Sequence, residues 1–135
     1  MNPLDIVLEI HSGVRWLLVA VSLISLVWFV LVWQRVTRNE NADRSLMAAF
    51  SGLLDLQVLI GLILILWSGF AGFGFPRYRI EHAFMMIIAA VDAHLSARWR
   101  NAEMHIRARN NVALIVGVLV IVYIGVSLLP QGWLG

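Results

Sequence analysis

Four apolar stretches decide what this chain can fold into: Val14 to Trp33, Leu46 to Phe70, Ile80 to Ala97 and Val112 to Leu129, of 20, 25, 18 and 18 residues. A hydrocarbon core about 30 Å thick is crossed by roughly 20 helical residues, so each stretch is long enough to span it. Lipid offers no partner for backbone N–H and C=O groups, which restricts spanning segments to helices and closed barrels. The alternating pattern of a barrel strand is absent. With 61% apolar and 13% charged residues among 135, a soluble fold of this size could not bury its apolar surface. The expected architecture is an all-α membrane protein, a four-transmembrane-helix up-and-down bundle, with residues 1–135 forming one integral domain in the lipid bilayer.

The connections supply the orientation. All ten basic residues are arginine. Arg35, Arg38 and Arg44 mark the first connection and Arg98, Arg100, Arg107 and Arg109 the third, which leaves Arg15, Arg77 and Arg79 for the opposite side. The positive-inside rule then assigns the first and third connections to the cytoplasm and both termini to the outside. The third connection, RWRNAEMHIRARNN, reads as a basic loop with His105 solvated in it. Asp5 and Glu9 stand where a secretory signal would carry positive charge, so the N-terminal segment is expected to be retained. The absence of cysteine excludes disulfides, iron–sulfur clusters and haem attachment through C-x-x-C-H. A net charge of +2 confined to loop ends gives no footprint for nucleic acid.

Ionisable side chains inside the spans carry the functional information, because each costs several kcal/mol in hydrocarbon unless it faces a partner, a cofactor or water. They sort into two layers. Towards the terminal face lie His11 and Arg15 of the first helix with Glu81 and His82 of the third. Towards the cytoplasmic half lie Asp55 and Gln57 of the second helix with Asp92 and His94 of the third. At about 100° per residue His82 and His94 diverge by about 120°, so both cannot point straight into one groove.

Each layer has two readings. The first is an Arg15–Glu81 ion pair with two interfacial histidines, or a pair of imidazoles, His11 and His82, ligating the iron of a haem b with Arg15, Arg77 or Arg79 near its propionates. The second is a packing network in which Asp55 and Asp92 pair with His94, or a proton relay beside a quinone headgroup. Met85 and Met86 read as gap-filling core residues.

Three motifs, HSGVRW from His11, DLQVLIGL from Asp55 and EHAFMMIIAAVDAH from Glu81, together resemble a group of small bacterial four-helix membrane proteins labelled cytochrome b-like. The resemblance covers about three quarters of the chain, leaving the fourth helix as a generic apolar span. It implies a bacterial cytoplasmic (inner) membrane location, haem b as cofactor, and metal or cofactor roles for His11, Arg15, His82 and His94. One departure stands out: relatives in this group often carry histidine at the position of Asp55. The expected function is a b-type haem electron carrier or membrane anchor subunit, interacting with quinone or a redox partner, rather than a stand-alone enzyme. Two other classes stay open: a non-catalytic accessory subunit docked to other membrane subunits, and a small proton or solute conductor using Asp55 and Asp92.

Overall fold

The computed structural model describes residues 2–134. Helix α1 spans Pro3–Trp33. It starts well before the apolar stretch because Asn2 caps it: the Asn2 side-chain oxygen accepts from the Leu4 N–H at 2.8 Å, and Pro3 occupies the first turn, where its missing N–H is no loss. It ends where Arg35 takes a left-handed φ of 62°. The Val36 N–H then reaches back to the Leu31 carbonyl at 2.9 Å and the Arg35 N–H to Val32 at 3.0 Å, which satisfies carbonyls that a helix end leaves open.

Helix α2, Glu40–Ser68, is capped by Asn39, whose side chain accepts from the Ala42 N–H at 3.1 Å. It widens into a π turn over Gly69–Phe73, with Gly72 at φ 110°, a conformation that favours glycine. Helix α3, Arg77–Ala93, follows Pro76 and tightens into a 3₁₀ turn over His94–Trp99. Helix α4 spans Met104–Ser127, and a short turn, Gly132–Leu134, closes the described chain. Consecutive helices pack as antiparallel neighbours and α4 closes on α1, so α1 and α3 stand on one diagonal and α2 and α4 on the other. The α1–α2 and α3–α4 connections share the loop end of the bundle. The helix 1 entrance, the α2–α3 connection and the close of α4 share the terminal end.

The third connection is shorter than expected. Helix α4 begins at Met104, so Arg107 and Arg109 lie on it rather than in a loop. Tertiary pairing draws the helix out beyond its apolar stretch. Arg107 is held by Asp43, 3.1 Å away, and by Glu40 at 3.6 Å. Asp43 is itself only 3% exposed and accepts from the Trp28 indole at 2.7 Å. His105 is likewise on α4, 2.8 Å from Glu103 and 3.4 Å from Arg35, and only half-buried rather than freely solvated.

Phe29, Val32, Phe50, Leu54, Ala89, Ala93, Ile115 and Val118 fill the middle of the bundle. Its outside is as apolar as its inside: Ile24, Val27, Leu59, Phe84, Val91 and Val120 are all more than half exposed, on all four helices. A surface of this kind belongs in lipid, and each helix is long and apolar enough to cross it. The protein is a multi-pass membrane bundle.

Candidate functional site

The interior is not filled all the way to the terminal end. Between the four helices lies an enclosed cavity of about 250 Å3 with Leu54, Met86, Val118 and Val122 in its walls. A second, more open cavity of about 380 Å3 adjoins it towards the terminal end, walled by Leu62, Ile65 and Phe73, with Arg79 and Ser68 among its polar lining groups. His11, Gln57, Val58, His82 and Met86 line both, so the two are lobes of one space with the histidines between them.

Each histidine is set by its own helix pair. On α1, Leu8, His11, Arg15, Leu18 and Ser22 recur at helical spacing and turn one stripe inward. His11 leans on α2 at Gly61, where a Cβ would come within 3.2 Å of the ring. The Gln57 amide donates to the His11 backbone carbonyl at 2.8 Å and fixes α1 against α2 at that level. On α3, His82 Nδ1 is 2.8 Å from the carbonyl oxygen of Gly125 on α4. A carbonyl can only accept, so Nδ1 carries the proton and Nε2 is left as the lone-pair nitrogen. The contact depends on glycine, since a Cβ at 125 would run into the Met86 methyl.

Three polar atoms around this space are buried with no hydrogen-bond partner among the described residues: His11 Nδ1, Arg15 Nε and Gln57 Oε1. Each such atom costs about 1–3 kcal/mol if left unsatisfied, so three in one place mark a site that a ligand or water completes. The Arg15 guanidinium is not paired with Glu81. It lines the enclosed cavity and stacks 5.3 Å from the Trp16 ring and 5.9 Å from that of Trp133 in the short last turn. Glu81 bonds instead to Arg77 one turn away at 2.7 Å, a pair whose arginine side chain is 92% exposed and outside both cavities. Arg79 lines the open lobe and donates to Ser68 at 2.9 Å.

The expected second layer divides. Gln57 joins His11, because two residues along a helix is about 200° and Asp55 therefore points the other way. Asp55 meets His94, with Nε2 at 2.9 and 3.1 Å from the carboxylate oxygens, on the outer surface of the bundle and away from His11 and His82. Asp92 is half-buried and makes no side-chain hydrogen bond among the described residues. No group of three or more His, Asp or Glu side chains able to hold a metal ion occurs among the described residues.

The arrangement therefore offers two imidazoles from opposite helices, Arg15 on the enclosed lobe, Arg79 on the open lobe, and apolar walls. Two imidazoles with arginines nearby are the donor types a b-type haem would need, its iron falling to His11 and His82 and its carboxylates to Arg15 and Arg79. Gly61, legible in the sequence as a small residue for close helix contact, meets the His11 ring, and Gly125 joins the site without having been singled out, since a helical glycine carries no chemistry of its own. Comparison with protein-family models, curated proteins and solved structures gives no match.

Proposed function

We propose that this chain is a small b-type haem protein of the membrane, an electron carrier or anchor subunit that exchanges electrons with a quinone or a protein redox partner. One observation carries the reading: α1 and α3, on one diagonal of the bundle, bring His11 and His82 to a shared cavity, and the Gly125 carbonyl leaves His82 Nε2 free. Haem bound there supplies one-electron chemistry at a potential tuned by its axial ligands and by the dryness of the pocket.

The chain's own residues have separate duties. The Gly125 carbonyl orients His82 and raises its basicity as a ligand. Gln57 anchors His11, and Gly61 leaves room for its ring. Arg79 and Arg15 offset negative charge in the open and the enclosed lobe respectively. Leu54, Met86, Val118 and Val122 exclude water. The open lobe, apolar with a cation among its lining groups, suits the headgroup of a quinone. Arg77, Asp92 and His94 have no part at this site. In the same reading the protein occupies a bacterial cytoplasmic membrane with both termini outside.

The test is an absorption spectrum of protein purified after expression with ample haem. Low-spin reduced bands are expected in the wild type and in His105→Ala, and their loss in His11→Ala and in His82→Ala. A wild type with no Soret band, or bands that survive both substitutions, overturns the reading.

A further inference from the structure

The Asp55–His94 pair is an acid–base pair in the spans that turns away from the cavities. It bridges α2 to α3 with side chains 48% and 59% exposed. Asp55 stands 15 residues from Glu40 and 13 from Ser68, about 22 and 20 Å along α2, and His94 opens the 3₁₀ turn that closes α3, four residues before Arg98, so the pair lies in the loop-end half of the spans. Facing lipid there, an ionisable pair costs several kcal/mol. Its surroundings are exposed too: Leu59 on the same side of α2, Val91 on α3, and Gly52 one turn along, where nothing lies within 4 Å of a Cβ position. A bare backbone beside a polar pair is what lets one membrane helix approach another closely. His94 Nδ1 has no partner among the described residues, and each Asp55 oxygen has a lone pair to spare.

We propose that this α2–α3 face is the interface of a homodimer, formed with a second copy of the chain about a two-fold axis along the bilayer normal. Such an axis keeps depth and exchanges left for right. The acid on one copy therefore meets the base on the other at the same level, twice. With each pair written as imidazolium and carboxylate, so that both ring nitrogens donate, the His94 Nδ1–H of each copy donates to the Asp55 carboxylate opposite, and the four groups close into one hydrogen-bonded ring out of lipid. Any other occupant would have to present an acid and a base in reversed order at this depth; a second copy does so by symmetry. The proposal is independent of whether haem is bound.

The chain has no cysteine, so single-cysteine variants report on proximity without background. Leu59→Cys and Gly52→Cys, oxidised in native membranes, are expected to give disulfide dimers, and Val120→Cys, exposed on α4, to give none. On the Leu59→Cys background, His94→Asp sets acid against acid and Asp55→Arg base against base. Each is expected to lower the dimer yield roughly tenfold, as losing an interhelical hydrogen bond would. Co-expression of the two restores the disulfide between them. No more disulfide at Leu59 and Gly52 than at Val120, or a disulfide only to some other protein, overturns the proposal. Failure of co-expression to restore pairing between variants of wild-type helix content overturns it as well. The first two cysteine variants keep Asp55 and His94 intact, so they decide even where a charge variant does not fold.

Discussion

Gly61 and Asp43 are small parts of the chain on which much rests. A valine at 61 would enter the 3.2 Å gap that now separates an added Cβ from the His11 ring. Overpacking of this kind costs about 1–3 kcal/mol, and the imidazole is the part free to give way. Gly61→Val is therefore expected to displace His11 and to lower haem bound per chain, measured by absorbance against protein, while leaving helix content unchanged by circular dichroism. Asp43 is the opposite case, a charge already buried and paired with Arg107 and Trp28. Removing one partner of a buried pair costs about 3–5 kcal/mol. Asp43→Ala should thus cause a large fall in unfolding temperature in detergent, and Asp43→Asn, which keeps an acceptor for Trp28, a smaller one. His11, Arg15 and His82 were legible in the sequence because an ionisable group in an apolar stretch has no cheap explanation. Gly61 was legible as a small residue for close helix contact, but the ring across from it, which sets its purpose, was not. Of the two readings for Arg15, the ion pair with Glu81 does not form, because Glu81 serves Arg77: an i,i+4 partner on the same helix is always within reach and one on another helix only after packing.

Among the elements, α4 shows how far an apolar run can hide its specificity. Read along the chain it is a featureless span, yet two of its glycines face different surroundings. At Gly125 a Cβ would meet the Met86 methyl and come within 3.1 Å of the Met85 Cβ, so α3 side chains pack there against the bare backbone of α4. At Gly117 nothing lies within 4 Å. Gly125→Ala should push α3 away and lengthen the His82 bond to the 125 carbonyl, with a loss of about 1–3 kcal/mol. Gly117→Ala should be neutral or stabilising by up to ~1 kcal/mol from helix propensity. Parallel thermal melts of the two variants check both, and equal melting temperatures would show that the α3–α4 contact is not tight at 125. The existence and order of all four helices followed from length and hydropathy. The start of α1 was legible too, in Asn2 and Pro3 as N-cap and first-turn residues, whereas the start of α4 was not, because the Asp43–Arg107 pair that draws it out exists only after packing. Apolar stretches measure the membrane rather than the helix.

Across the whole molecule, the two ends of the bundle differ in how much positive charge they show to a membrane surface. At the loop end Arg35, Arg38, Arg44, Arg98, Arg100 and Arg109 are exposed, with Arg107 committed to Asp43 and Glu40. At the terminal end only Arg77 is exposed, since Arg15 is folded under Trp16 and Trp133 and Arg79 lines the cavity. Withdrawing two of three arginines from that end sharpens an asymmetry that the bare count already gave. Each arginine near an anionic leaflet is worth about 1 kcal/mol, so the difference in exposed cations is ample to set one orientation. The loop end is expected in the cytoplasm and the terminal end outside. A reporter active only outside the cell should be silent when fused at Asn41 and active when fused after Gly135, and equal signals would mean that an even number of helices, not three, crosses between the two sites. The same orientation predicts how solvent reaches the two-histidine space. A membrane-impermeant reagent modifying histidine should reach His11 or His82 only through the open lobe at the terminal end. Modification from intact cells, blocked in Phe73→Trp by a larger side chain in that lobe, would be the expected result. Modification only after the cytoplasmic face is opened would reverse the bundle in the membrane.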